Sequence, residues 1–294
     1  MPKIERILCP IDFSEFSERA YDYAQSLAWH YKATLFLQHV IDSLTPCYPY
    51  QAYPDAYNEM CRMVRAGAER QLQEFVEKHA RRGIQPQCKV EDGMATDLIL
   101  GFADAQAVNL IVMGTHGLRG IDHLVLGSVT EKVLQKARCP VLAVCKPAHD
   151  HITPGEELDL IHLHRILYCT DFSDYSEQAF DDAVSLAAEY KAELTLLHVL
   201  EGIADSADIE NEIAKAMQSL EKRIPLEMSK NCTTKGVVRI GKAYQQIVEL
   251  ALESQTDLIV MGVRGRHSID RAIFGSTTYR VVQLGPCPIL VVHN

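Results

Sequence analysis

The chain repeats itself, and no other feature constrains its fold as strongly. Arg6-Ile7-Leu8-Cys9-Pro10-Ile11-Asp12-Phe13-Ser14 returns 159 residues later as Arg165-Ile166-Leu167-Tyr168-Cys169-Thr170-Asp171-Phe172-Ser173. The same displacement holds without a gap to His39-Val40 and His198-Val199. A second block starts near Gly93 and Gly241, where Leu110-Ile111-Val112-Met113-Gly114 returns as Leu258-Ile259-Val260-Met261-Gly262 at a displacement of 148. The first copy therefore carries 11 extra residues in its middle, expected within 43–58, a stretch rich in Pro and Tyr. The reading divides the chain into a first domain at 1–146, a linker at 147–162 and a second domain at 163–294. The linker holds Pro147, Thr153-Pro154-Gly155 and Glu156-Glu157, residues that break regular structure.

Within one copy, apolar runs at 5–11, 34–40, 109–113 and 141–144, with a shorter one at 88–91, read as five strands. Between them, Ala20, Tyr21, Ala24, Leu27, Ala28 and Tyr31 recur at helical spacing, as do Met60, Met63, Val64, Leu72, Phe75 and Val76. Thr96 is positioned to cap a helix running through Leu98, Ile99 and Phe102, and 128–137 forms another. Strands alternating with helices imply parallel βαβ units, and continuous apolar runs imply a sheet covered on both faces. The expected fold is α/β: two doubly wound, open, parallel five-stranded sheets of Rossmann-like type in tandem. Such sheets bind ligands at the carboxyl ends of their strands, where the strand order reverses.

At that end of each copy lies a glycine constellation. Gly114-Thr115-His116-Gly117 follows a strand, and after nine residues come Gly127-Ser128 at a helix start. The second copy repeats the pattern as Gly262-Val263-Arg264-Gly265, nine residues, then Gly275-Ser276. Glycines permit positive φ and close backbone approach to a ligand, and a helix start presents unpaired N–H groups to an anion. Asp12 and Asp171 close the first strand of each copy, where a carboxylate can accept hydrogen bonds from ribose hydroxyls. The plainer alternative is that the glycines form turns and that Ser128, Ser276, Asp12 and Asp171 only cap helices.

With this pattern in full in both copies, the chain resembles the universal stress protein family in its tandem two-domain form, over nearly its whole length. The resemblance implies ATP binding, with Mg, at two sites. It implies that Asp12 lies against the ribose and adenosine, with Ile11 and Val40 near the adenine. Met113, Gly114, Gly117, Gly127, Ser128, Val129 and Thr130 would hold ribose and phosphates. The matching positions of the second copy are Thr170, Asp171, Val199, Met261, Gly262, Gly265, Gly275, Ser276, Thr277 and Thr278. It also implies that the terminal strands of the two domains, around 139–144 and 287–292, pair with one another. The copies differ in the loop, where Thr115-His116 stands opposite Val263-Arg264 and the second copy adds Arg266 and His267.

The remaining signals exclude more than they assign. A net charge of −10 over 294 residues argues against nucleic acid and anionic membranes as partners. No apolar run reaches the roughly 18–20 residues of a membrane helix. No secretory leader is legible, and the nine cysteines show no C-x-x-C pair, so reduced thiols and a cytoplasmic location are expected. A Walker lysine motif is absent. Met228-Ser229-Lys230 has no accompanying histidine motif, and the His149, His151, His162 and His164 cluster is expected to be linker polarity rather than a metal site. His39 and His198 are expected to support the core. No general base is evident; His116, Arg264 and Arg266 are the nearest groups to a γ-phosphate, and Ser128 and Ser276 the nearest phospho-acceptors. The function expected is that of a nucleotide-dependent stress-response sensor or regulator. The alternatives are a slow ATPase or autophosphorylating enzyme, or an interaction scaffold with empty sites. Intramolecular pairing of the two domains is expected, with a homodimer and a protein partner as further associations.

Overall fold

The computed structural model describes residues 4–42, 54–80, 83–117, 126–145, 161–202, 208–224, 233–263 and 275–293. The first copy contains β1 (Arg6–Ile11), α1 (Glu15–Tyr31), β2 (Thr34–Asp42), α2 (Pro54–Lys78), β3 (Gln87–Gly93), α3 (Ala95–Ala105), β4 (Leu110–Gly114), α4 (Ser128–Lys136) and β5 (Val141–Val144). The second repeats the order as β6 (Arg165–Thr170), α5 (Asp174–Tyr190), β7 (Glu193–Leu200), α6 (Ile209–Glu221), β8 (Thr234–Ile240), α7 (Ala243–Glu253), β9 (Leu258–Gly262), α8 (Ser276–Leu284) and β10 (Ile289–Val292). Each copy is a parallel five-stranded sheet, β3-β2-β1-β4-β5 and β8-β7-β6-β9-β10.

Alternating Cβ directions sort each strand's side chains onto two faces. Ile7, Cys9 and Ile11 point into one core with Ala20, Ala24 and Ala28 of α1 and Leu72 and Phe75 of α2. Leu8, Ile111 and Met113 point into the other with Ile99 of α3 and Val133 and Leu134 of α4. Both faces are thus covered, which is why the central strands read as unbroken apolar runs. The first copy's extra length appears partly as helix, since α2 spans 25 residues against 13 in α6. The rest of the insert, 43–53, lies outside the described residues, as do most of the linker, Met228-Ser229-Lys230, His149 and His151.

The two sheets join into one of ten strands through β5 and β10, which pair antiparallel with Val141 opposite Val291 and Ala143 opposite Ile289. The edge that each copy alone would expose is consumed by the other. Around this seam, His30 Nε2 lies 2.8 Å from Glu189 Oε1, and Tyr31 donates to Glu189 Oε2 at 2.9 Å. The Ile161 N–H, at the end of the linker, donates to Ser26 Oγ at 2.8 Å.

Candidate functional site

In each copy the strand order reverses between β1 and β4, or β6 and β9, so the connections leaving those strands diverge to opposite faces and open a crevice. In the first copy that crevice is a cavity of about 750 Å³. Ile11 and Asp12 border it from the end of β1, Val40 from β2, Met113 and Gly114 from β4. Gly117 borders it from the following loop, and Gly127, Ser128, Val129 and Thr130 from the start of α4. All ten positions singled out in the first copy therefore meet on one cavity. Ala95 and Ile99 of α3 also line it, as do Gln38 and Ile41 of β2 and Leu126. Sequence reasoning missed these, because nothing in a helix start or an apolar strand marks which ligand wall it joins.

Asp12 is held by a turn. Its Oδ1 accepts from the Ser14 hydroxyl at 2.6 Å and from the Ser14 N–H at 3.1 Å. Phe13 takes a left-handed φ of 62°, and Phe172 repeats it at 61°. That conformation costs a residue with a Cβ roughly 1–2 kcal/mol, and both copies retain it. Ser14 then serves as N-cap of α1, accepting from the Ser17 N–H. The cap is thus the serine, and the aspartate fixes the serine. Asp171 and Ser173 repeat the arrangement at 2.5 and 3.1 Å. His39 Nδ1 meets the Ile11 carbonyl at 2.9 Å and its ring packs on Phe13 at 4.6 Å. His198 repeats this against Thr170 O at 2.8 Å and Phe172 at 4.3 Å. These histidines brace the strand ends, as expected.

The described glycines contradict one of the two properties expected of them. None of the described motif glycines has positive φ; the positive-φ pair common to both copies is Gly93 and Gly241. Space is what they supply. A Cβ on Gly114 would meet the Phe16 backbone at 2.8 Å, and one on Gly262 would meet Tyr175 O at 2.5 Å. These two glycines let the first turn of α1 or α5 sit against β4 or β9. A Cβ on Gly117 would fall 2.5 Å from Asp12 Oδ2, so this glycine keeps the loop against the carboxylate.

Gly127 is the N-cap of α4 and Gly275 of α8. Ser128 and Ser276 are therefore first helical residues and not caps, correcting the alternative considered above. A glycine cap has no side-chain acceptor, so the first-turn N–H groups stay available to a ligand. The helix starts are anchored elsewhere. Gly127 N–H donates to Thr115 O at 2.8 Å, and the Thr130 hydroxyl to Gly114 O at 2.7 Å. Thr278 repeats the second bond to Gly262 O at 3.0 Å. Thr130 and Thr278 thus commit their hydroxyls to the scaffold, and Thr170 commits its own to the Phe172 N–H and to Ser176. Thr96, expected as a cap, is instead inside α3, whose N-cap is Met94 without a side-chain bond.

In the second copy Thr170 and Asp171 lie at the end of β6, Val199 in β7, and Met261 and Gly262 at the end of β9. Gly275, Ser276, Thr277 and Thr278 lie at the start of α8. Register pairs Cys169 with Met261 and Thr170 with His198, so these strand ends are level. Arg264, Gly265, Arg266 and His267 lie outside the described residues. Among the described residues no cluster of His, Cys, Asp or Glu is arranged to hold a metal ion, and no helix is long and apolar enough to cross a membrane. His162 and His164 stack on one another with ring centroids 6.1 Å apart. Cys9, Cys145, Cys169 and Cys287 are free thiols buried in the cores.

The architecture defines a class: tandem doubly wound α/β units, the first with a cavity at the carboxyl ends of its strands. The chain belongs to the universal stress protein family, whose model matches residues 3–144 and again 162–293. A universal stress protein of Mycolicibacterium smegmatis is 27% identical over 98% of this chain and 96% of its own. Universal stress protein YxiE of Bacillus subtilis is 34% identical over 44% of this chain and 99% of its own. The crystal structure of a universal stress protein from Archaeoglobus fulgidus covers 99% of both chains at a TM-score of 0.63 and 21% identity, a likeness of fold.

Proposed function

We propose that the chain is a cytoplasmic, ATP-binding stress-response regulator whose two units, 1–146 and 163–294, each take one nucleotide at the crevice. The observation that carries this reading is the convergence, on one cavity of about 750 Å³, of an anchored carboxylate and a helix start left open by a glycine cap. The volume falls within the roughly 300–1,000 Å³ usual for small-molecule sites. Ile11, Val40, Met113 and Ile99 offer apolar walls for a base. Asp12 is suited to ribose hydroxyls, and the first-turn N–H groups at Ser128, Val129 and Thr130 to phosphate oxygens, aided by the helix dipole. Mg would ride on the phosphates. In the second unit Thr170, Asp171, Val199, Met261, Gly262, Gly265, Gly275, Ser276, Thr277 and Thr278 take the same parts.

Binding changes the protein's behaviour only through unequal affinity for two of its states. The shared sheet is a route for that difference, because a change at either crevice reaches the β5–β10 seam through strands of one ladder. The test is direct. The purified protein is denatured, its supernatant resolved by anion exchange, and adenine nucleotide counted per chain before and after incubation with millimolar Mg-ATP. Two ATP per chain is the expected result. No bound nucleotide under either condition would refute the reading.

A further inference from the structure

The wall of the first cavity holds a polar group that its repeat lacks. Gln38, on β2 two residues before Val40, is fully buried and borders the cavity. Its Nε2 donates to Glu91 Oε2 at 2.7 Å and, more weakly, to Leu98 O at 3.4 Å. A carboxylate and a carbonyl only accept here, so the NH₂ end of the amide must face them, and Oε1 faces the other way. That oxygen has no hydrogen-bond partner. The repeat has Leu197 at this place, equally buried, and Arg239 in place of Glu91, paired with Glu253 instead.

A buried acceptor without a partner is costly, and Leu197 shows that the fold has an apolar solution at this position. Gln38 therefore makes sense as a group completed by a ligand. It sits beside Val40 and Ile99, among apolar walls, while the anion-attracting start of α4 forms another part of the rim. A ligand with its charged end on α4 would bring its flat, apolar end here.

We propose that Gln38 Oε1 accepts a hydrogen bond from the exocyclic amino group of a purine, so that the first site selects 6-aminopurine over 6-oxopurine nucleotides while the second site, with Leu197, lacks this contact. A 6-oxo group would set one acceptor against another. This inference rests on the nucleotide-binding reading above.

The experiment measures ATP and ITP affinity at each site by equilibrium dialysis on the full chain. Ser276→Glu closes the second site and Ser128→Glu the first, each by placing a carboxylate where phosphate would bind. The preference for ATP over ITP is expected to be about tenfold greater at the first site than at the second. Gln38→Leu, the residue its repeat carries, should bring the first site's preference down to that of the second. Gln38→Met, closer to glutamine in length, does the same without a polar atom and serves should the leucine variant fold poorly. ATP binding at the first site with an unchanged ATP-to-ITP ratio in both variants would overturn the role of Gln38 and leave nucleotide binding standing. Absence of ATP binding at both wild-type sites would overturn the nucleotide reading itself, and this inference with it.

Discussion

Replacing Gly114 and Gly117 by alanine should separate two functions that the glycine pattern superimposes. At Gly114 the new methyl would lie 2.8 Å from the carbonyl carbon and Cβ of Phe16 and 2.9 Å from its oxygen. Those atoms belong to the first turn of α1, which is capped by Ser14 and packed on β4, so the helix must shift as a body. Overpacking of this kind costs about 1–3 kcal/mol. At Gly117 the obstacle is Asp12 Oδ2 at 2.5 Å, with Cγ at 3.7 Å. A carboxylate can swing where a packed helix cannot, and the weakened Ser14 contact costs about 1 kcal/mol. The swing displaces the group proposed to bind ribose, and losing a hydrogen bond to a charged group weakens binding by about 1.5–3 kcal/mol, roughly 10- to 100-fold. Urea denaturation and ATP titration at the first site, with Ser276→Glu closing the second, should therefore rank the variants oppositely. Gly114→Ala should be the less stable and Gly117→Ala the weaker binder. A Gly114→Ala protein with wild-type stability would refute the close-approach argument. Unchanged ATP affinity in Gly117→Ala would remove Asp12 from the site.

Other expectations follow from single contacts. Thr130→Val removes the 2.7 Å bond to the Gly114 carbonyl in a buried setting and should cost about 1–3 kcal/mol in urea denaturation, with Thr278→Val comparable at the second copy. Lys32 and Lys191 end α1 and α5 at left-handed φ of 54° and 55°. Lys32→Gly should stabilise the chain by about 0.5–1 kcal/mol, measured as a higher urea midpoint, because glycine takes that conformation without strain. Alkaline pH should destabilise the fold through its buried thiols. Burial raises Cys145 to about 12 and holds Cys9, Cys169 and Cys287 well above the ordinary thiol value. Below the unfolded value near ~8.5 these thiols are protonated in both states and contribute nothing. Above it the unfolded chain loses protons that the folded chain keeps, so stability falls by about 1.4 kcal/mol per pH unit for each thiol. For Cys145 that loss continues until pH reaches its folded value of about 12. The urea midpoint should drop steeply between pH 8 and pH 10, and Cys9→Val should shallow the slope; a flat profile would contradict the burial.

Much of the scaffold was legible because parallel strands covered on both faces must be apolar throughout. Such runs as Leu110-Ile111-Val112-Met113 stand out without any partner in view. The repeat then doubled each observation. The pairing of β5 with β10 was implied by the family resemblance, and the physical reason for it is that an apolar terminal strand left as an edge needs covering. What escaped was the purpose of residues whose constraint comes from elsewhere in the chain. Gly114 looks like a ligand-facing glycine, yet the atoms that forbid a side chain there belong to Phe16, on a helix nearly a hundred residues earlier. Ala95 and Ile99 border the cavity only because α3 and β4 pack on one face of the sheet.

Gln38 marks the limit of pattern reading most clearly. The repeat aligns it with Leu197, and a polar residue in an apolar run invites dismissal as tolerated variation. Its meaning depends on Glu91, which fixes the direction of the amide, and on a cavity wall assembled from β2, β4, α3 and α4. The two copies share the carboxylate turn, the glycine-capped helix and the bracing histidine, so the parts proposed to hold ribose and phosphate are duplicated. They diverge at Gln38 and Glu91 against Leu197 and Arg239. If both crevices take nucleotide as proposed, a duplicated chain that keeps its helix-start scaffold and varies the wall at Gln38 would hold two sites of one kind with two selectivities, joined through β5 and β10.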